Sequence, residues 1–191
     1  MRPATGAVRS EPSDAALVAR VLEGDPTAFR VLVDRHYAAC GRFAYRMLGQ
    51  REDTEDVLQE TFVRLYRALG SYEERESFRG WLYRILVNEC RSLARRRVRR
   101  ERRFVSDDGV AERRAGPSGD HDTELRDVLQ RALDGVEPPM REAFLLKYGE
   151  GFDYPAMAAM TGSSVSALKM RVKRARDAMR PELEAMLDDG A

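Results

Sequence analysis

The chain has 191 residues, long enough for one ordinary domain or for two small helical ones. Hydrophobic residues make up 43% of it, which allows packed cores, and the net charge of +1 excludes a global charge excess that would indicate a polyanionic partner. Two cysteines are too few for a disulfide framework, and no apolar run is typical of a signal peptide or a membrane span. The composition therefore predicts a soluble, cytoplasmic protein.

Charge is nevertheless concentrated locally. Residues 91–103 contain eight Arg and one Glu, residues 164–180 contain six Lys or Arg and one Asp, and residues 51–60 contain five acids and one Arg. This distribution predicts two basic surfaces and one acidic surface.

Apolar residues before residue 100 recur every three or four positions, which is the helical period, and no strand alternation is evident. Three helices are predicted before residue 70 and a fourth from about Phe78. We therefore expect an all-helical domain over residues 14–100. The residues that mark the helix boundaries are Ser13 or Asp14, Pro26, Gly49 and Gly70.

The helical pattern is lost over residues 101–123, which are rich in Gly, Ser, Asp and charge, a composition typical of flexible tethers. Helical periodicity returns over residues 124–187, with one helix from Glu124 to Leu133, another opened by Pro138 and Pro139, and two more after it. The predicted fold is all-α, with two small helical domains joined by a flexible linker.

The helix predicted over residues 54–69 has an acidic outer face, formed by Asp56, Gln59, Glu60 and Val63. Such a face could bind a basic protein surface. Acidic side chains at a helix N-terminus also interact favourably with the helix dipole, so a purely structural role remains an alternative.

Aromatic residues give way to basic ones in the next predicted helix. Aromatic stacking beside a cationic groove is how proteins hold single-stranded nucleic acid, and Asn88 could read an exposed base edge. Helical spacing with Leu82, Ile85 and Leu86 instead favours a core position for Trp81. The candidate contact residues are Tyr72, Phe78, Trp81, Arg84, Asn88, Arg91 and Arg95.

Residues 152–180 have the proportions of a helix-turn-helix. Asp153 can cap the first helix, Pro155 fits its first turn, Gly162 suits a left-handed helix end, and Ser163 or Ser164 can cap the second helix. An apolar stripe on the second helix is predicted to face the core. Its members are Val165, Leu168, Val172, Ala175 and Met179.

The opposite face of that second helix carries Lys169, Met170, Lys173 and Arg174, with Arg171 and Arg176 towards its edges. A helix in the major groove of DNA presents a face of this kind, because Lys and Arg can donate to guanine N7 and O6. A solvated basic face on an ordinary bundle helix is the alternative interpretation.

Three segments, in this order, resemble extracytoplasmic-function sigma factors of bacterial RNA polymerase, which form group IV of their family. DTEDVLQETFVRLYRAL is similar to the polymerase-binding helix, FRGWLYRILVNECRSLARR to the promoter-melting helix, and EGFDYPAMAAMTGSSVSALKMRVKRAR to the upstream-element reader. The resemblance covers about residues 14–100 and 124–181. It identifies the two predicted domains with sigma regions 2 and 4.

The resemblance implies roles for these residues. Asp56, Gln59, Glu60 and Val63 would face the large polymerase subunit, and Asn88 would contact the non-template strand of the minus-10 element. The loop from Ser71 to Ser77 would receive a flipped base. Ser92 joins the minus-10 set. The minus-35 set would be Ser166, Lys169, Met170, Arg171, Lys173, Arg174 and Arg176.

Because of two departures from the family pattern, the promoter sequence that this chain prefers cannot be copied from a relative. Ser92 stands where relatives often have Asp or Asn, and Met170 stands where they often have Ser. The resemblance also implies core polymerase and promoter DNA as partners, and an anti-sigma factor as a possible third.

Other functions have less support in the sequence. A free-standing helix-turn-helix regulator is the main alternative, and an enzyme acting on nucleic acid has no supporting residues. His36 and Cys40 have a spacing that can hold a metal, but no second pair is present, so we expect a structural role for both. We expect no metal, no cofactor and no catalytic activity.

Overall fold

The computed structural model describes residues 11–73, 77–104 and 121–189, and within these ranges the fold is all-α with no strand. A first group of helices comprises α1 (Asp14–Leu22), α2 (Pro26–Leu48), α3 (Arg51–Ala68) and α4 (Phe78–Phe104). A second group comprises α5 (His121–Asp134), α6 (Pro138–Phe144), α7 (Tyr154–Thr161) and α8 (Val165–Asp189). The predicted all-α fold class is confirmed.

The first group begins and ends its helices at residues suited to those positions. The Ser13 hydroxyl accepts from the Ala16 amide at 3.2 Å at the start of α1, and the Asp25 carboxylate accepts from the Thr27 amide at 2.9 Å at the start of α2. Hydrogen bonds from the Thr27 hydroxyl and from Arg20 lower the pKa of Asp25 to about 2. Gly49 ends α2 with a left-handed backbone, φ +72°.

The core of the first group lies between α2, α3 and α4. Opposite the acidic face predicted over residues 54–69, five apolar residues of the same segment are buried, as are Phe78 and Trp81 at the start of α4. The core interpretation of Trp81 is therefore the one that the packing favours. Four of the five lie on α3 and the fifth directly follows its last residue; they are Val57, Leu58, Phe62, Leu65 and Leu69.

The second group contains the predicted helix-turn-helix as α7 and α8. Asp153 caps α7 by accepting from the Ala156 amide at 2.8 Å, Gly162 follows with φ +68°, and Ser164 caps α8 by accepting from the Ala167 amide at 3.2 Å. The apolar stripe of α8 is buried except at Val165, which is 37% exposed because it lies in the first turn, at the edge of the core.

The two groups pack against each other. Helix α4 contacts α7, α2 contacts α6, and buried residues from both groups belong to one continuous apolar cluster. The helix predicted to bind the minus-10 element thus has one face against the second group.

Candidate functional site

The outer face of α3 combines acids with an apolar groove. Asp56 and Gln59 are exposed, while Glu60 and Val63 are half-buried, and Arg64 Nε donates to Glu60 Oε1 at 2.7 Å. Beside them an open groove of about 820 Å³ runs between α2 and α3. It is lined mainly by aromatic and apolar residues, with Glu55, Gln59 and Arg67 as its polar members. The apolar members are Phe29, Val33, Tyr37, Leu58, Phe62, Val63 and Tyr66.

A basic stripe runs along α4. Asn88 and Arg95 are exposed, Arg84 and Ser92 are half-buried, and Arg95 Nη2 donates to Ser92 Oγ at 3.1 Å. Positions 84, 88, 92 and 95 are spaced four, four and three residues apart, so these side chains share one helix face. The structure therefore brings together an amide, a hydroxyl and guanidinium groups, which can bind both base edges and phosphates.

Arg91 does not belong to this exposed stripe, because its guanidinium group pairs with Glu142 on α6. Its Nε donates to Glu142 Oε2 at 2.7 Å and its Nη2 donates to Glu142 Oε1 at 2.6 Å, a bidentate pair that joins α4 to α6. The Glu142 side chain is only 3% exposed. Arg91 therefore sits between the two helical groups.

The aromatic residues near the start of α4 form a packed cluster. The ring centroids of Tyr72 and Trp81 are 5.2 Å apart, and those of Phe78 and Trp81 are 6.1 Å apart. Tyr72 is half-buried whereas Phe78 and Trp81 are buried. Residues 74–76 of the predicted base-receiving loop lie outside the described residues.

The predicted reading face of α8 is exposed. Ser166, Lys169, Met170, Lys173, Arg174 and Arg176 are all solvent-accessible, with Met170 at 49%. Arg171 is the exception, because it is half-buried and its Nη1 donates to Ser163 Oγ at 2.9 Å. Arg171 lines a groove between the helical groups, so it does not belong to the exposed reading face.

Several residues near these sites were not identified from the sequence. The Tyr154 ring lies 5.0 Å from Lys147 Nζ and 5.7 Å from Lys169 Nζ, so its cation–π contacts engage Lys169 of the reading face together with Lys147. Glu89 is buried and lies 3.1 Å from Arg64 Nη1. Its place in the apolar stripe of α4, three residues after Leu86, was the sequence signal that could have revealed it.

His36 and Cys40 have separate structural environments. His36 Nε2 lies 3.0 Å from Asp14 Oδ2, and Cys40 is fully buried, with burial raising the pKa of its thiol to about 12. The part of the chain that the structure describes contains no cluster of His, Cys, Asp and Glu suited to a metal. Nor does it contain a helix long and apolar enough to cross a membrane.

Comparison with known proteins relates both helical groups to one family. The family model described as Sigma-70 region 2 matches residues 32–100, and Sigma-70, region 4 matches residues 126–179. The chain is 34% identical to the ECF RNA polymerase sigma factor SigE of Mycolicibacterium smegmatis, over 91% of this chain and 70% of that protein. It is 31% identical to the RNA polymerase sigma-H factor of Pseudomonas aeruginosa, over 93% of this chain and 97% of that protein.

Solved structures agree with these relatives. The sigma factor RpoE of Bartonella quintana, in complex with the anti-sigma factor NepR, has a TM-score of 0.70 and 28% identity over 82% of this chain and 96% of that chain. CnrH, in complex with the cytosolic domain of CnrY, has a TM-score of 0.68 and 31% identity over 90% of this chain and 97% of that chain. This chain therefore belongs to the extracytoplasmic-function sigma factors, which direct RNA polymerase to promoters.

Proposed function

We propose that this sigma factor divides polymerase binding and promoter recognition among three of its surfaces. Domain 14–100 would bind core polymerase through α3 and the minus-10 element through α4. Domain 124–187 would bind the minus-35 element through α8, with residues 101–123 as the linker between them. The observation that carries the proposal is the separation of one acidic and two basic exposed faces on three different helices.

The polymerase-binding surface is the outer face of α3 with Asp56, Gln59, Glu60 and Val63. Its acids can pair with basic residues of the polymerase, and the adjacent apolar groove can accept apolar side chains from the same partner. An interface with an apolar centre and a charged rim has the usual anatomy of protein recognition.

The minus-10 surface is the stripe of Arg84, Asn88, Ser92 and Arg95. We assign the base-edge contact to Asn88, whose amide can both donate and accept, and the phosphate contacts to the arginines. Phe78 and Trp81 would contribute by holding the start of α4 in place, because their rings are buried. Tyr72, which is half-buried, is the aromatic residue best placed to stack on a base.

The minus-35 surface comprises the exposed side chains Ser166, Lys169, Met170, Lys173, Arg174 and Arg176. Lys169 and Lys173 lie four residues apart on one helix face and can enter the major groove together. Arg171 would not read bases in this arrangement, since Ser163 and the surface towards the first domain hold it.

We further propose that the chain acts in the cytoplasm, has no catalytic activity of its own and is regulated by an anti-sigma factor. Support for such a partner comes from the similar sigma factors that were solved with anti-sigma proteins. A free-standing regulator is not favoured, because family models match both helical groups.

The test compares the purified chain with the variant Asp56→Arg/Gln59→Ala. Wild type should co-elute with core polymerase and start transcripts at one promoter position, whereas the variant should lose both properties because its face repels a basic partner. Glu184→Arg, an exposed charge reversal on α8, is the control and should behave as wild type. Unchanged polymerase affinity of the double variant, with normal helicity, would show that the face on α3 is only structural.

A further inference from the structure

The aromatic ring of Tyr154, the first residue of α7, is shared by two lysines from other parts of the second helical group. Lys147 lies in the π-helical turn over Leu145–Gly149, and its Nζ is 5.0 Å from the ring centroid. Lys169 lies on α8, and its Nζ is 5.7 Å from the same centroid. Both distances are within the range of about 6 Å over which a ring face attracts an ammonium group. Tyr154 therefore contacts the reading face of α8 from outside that helix.

The two lysines are held to different degrees. Lys147 is half-buried, and its Nζ also donates to the Phe152 carbonyl at 3.4 Å, so its ammonium group has a backbone partner besides the ring. Lys169 is exposed. An ammonium group has three N–H donors, so Lys169 can stay beside the ring and still donate to a DNA base. The ring contact is thus compatible with DNA binding by Lys169.

The ring itself has a fixed position. The Asp153 carboxylate caps α7 by accepting from the Ala156 amide at 2.8 Å, and Tyr154 packs partly against the apolar core. The backbone at Lys169 is fixed as well, because the preceding residue, Leu168, is fully buried. The flexible part of the contact is therefore the lysine stem, whose ammonium group the ring holds on the side of α8 that faces α7.

A lysine held in this way is better prepared to read DNA than a free one. An exposed lysine samples many rotamers, and binding must restrict them at a cost in free energy. A contact that orders the side chain beforehand reduces this cost. Lys169 lies in the second turn of α8, and the N-terminal residues of a recognition helix are the ones that reach base edges. The direction of its ammonium group therefore affects which base pair it contacts.

We propose that Tyr154 is a positioning residue for promoter recognition. Its ring directs the Lys169 ammonium group to one base pair of the minus-35 element through the cation–π contact, and this role needs no base contact by Tyr154 itself. The inference rests on the proposed function, because it takes Lys169 as a minus-35 contact. It adds a residue of α7 to those that determine the sequence preference of α8.

The test changes the charge distribution of the ring and keeps its shape. Tyr154→Phe is made twice in the full chain, once with phenylalanine and once with pentafluorophenylalanine, whose fluorines withdraw negative charge from the ring face. The probe is a labelled duplex that the wild-type chain selects from a random-sequence library, and fluorescence anisotropy gives its Kd. The fluorinated form should bind about two- to fivefold more weakly than the phenylalanine form, since that is the strength of an exposed cation–π contact.

Tyr148→Phe, made in the same two forms, is the matched control. Tyr148 belongs to the same helical group and is exposed, and its ring centroid lies 5.2 Å from that of Phe144. Its two forms should bind the probe equally. Circular dichroism should show the same helicity in all four proteins, because fluorination leaves the apolar packing of either ring in place.

Lys169→Gln distinguishes positioning from packing. In a Lys169→Gln background the two forms of Tyr154→Phe should bind equally, because the cation that the ring directs is gone. With probes changed at one base pair at a time, fluorination and Lys169→Gln should reduce the preference at the same base pair. An undiminished effect of fluorination in the Lys169→Gln background would overturn the proposal, since the ring would then act through Lys147 or through packing.

Two further outcomes would also count against this role of Tyr154. If Lys169→Gln weakens binding but the two forms of Tyr154→Phe bind equally, the positioning role is wrong and the DNA contact of Lys169 stands. If Lys169→Gln leaves binding and base preference unchanged, the proposed DNA contact of Lys169 is wrong and the positioning role falls with it. The affinity of the single variant Lys169→Gln therefore tells the two failures apart.

Discussion

Glu89 is a buried carboxylate on α4 whose partner, Arg64, lies on α3. We predict that Arg64→Ala lowers the free energy of unfolding by about 1–3 kcal/mol, because it leaves a desolvated acid without its ion pair. Urea denaturation followed by circular dichroism measures this change. The further substitution Glu89→Gln should restore part of the loss, since it removes the charge that Arg64 had compensated.

Arg51→Ala is the matched control on the same helix. Arg51 pairs with Glu55 at 3.0 Å, but both side chains are largely exposed, so we expect a change within about 0.5 kcal/mol. Equal losses from Arg51→Ala and Arg64→Ala would mean that the burial of Glu89 does not matter to stability.

Single residues differed in how far the sequence could predict them. Ser13, Asp153 and Gly162 act at helix ends as predicted, because capping depends on neighbours within four residues. The partner of Arg91 could not be predicted, because Glu142 lies 51 positions away and only tertiary packing brings the two together.

Helix α8 has two distinct faces: a buried apolar stripe and an exposed basic face that we assign to DNA. We predict that Lys173→Ala and Arg174→Ala each weaken binding to minus-35 duplex DNA. The loss should be about 1–3 kcal/mol if the side chain contacts a base, and smaller if it contacts only a phosphate. Arg171→Ala should weaken it less, because that guanidinium is held by Ser163. Electrophoretic mobility shifts with intact and scrambled minus-35 duplexes measure both effects, and an equal loss for Arg171→Ala would contradict this assignment of faces.

At the level of elements, helical periodicity predicted the helices well. The inward residues of α3 and four of the five stripe residues of α8 are buried, since a 3.6-residue period defines which side chains share a face. The departures lie at ends: Val165 is exposed in the first turn of α8, and α6 continues as a π-helical turn over Leu145–Gly149. Such features depend on the neighbouring helices more than on the local pattern.

The packing of the two helical groups is a property of the whole molecule that periodicity could not predict. The sequence indicated two domains and a linker, and nothing in either helical pattern required the domains to touch. Tyr83 and Phe152, for example, lie in different predicted domains, yet their rings pack against each other across the boundary between the groups. The predicted surfaces are therefore only partly independent.

Cys90 offers a native reporter of that packing. It is buried, lines the groove of about 760 Å³ between the helical groups, and burial raises the pKa of its thiol, all of which slow its reaction with thiol reagents. In a Cys40→Ala background Cys90 is the remaining thiol, because the sequence contains two cysteines. Glu142 pairs with Arg91, and Glu150 pairs with Arg79, both on α4. We predict that Glu142→Gln/Glu150→Gln then speeds the labelling of Cys90 by about three- to tenfold, because the two helical groups are apart in a larger share of the molecules.

The labelling rate, followed with a chromogenic disulfide reagent at fixed pH, tests whether the two helical groups separate, without DNA or polymerase. Glu182→Gln/Glu184→Gln in the same background should leave the rate unchanged, since both are exposed side chains on α8. If labelling accelerated without an increase in the radius of gyration measured by small-angle X-ray scattering, the thiol would be exposed by local fraying of α4 and not by separation of the helical groups. A parallel rise in the labelling rate and the radius of gyration is expected only if Glu142 and Glu150 hold the two helical groups together.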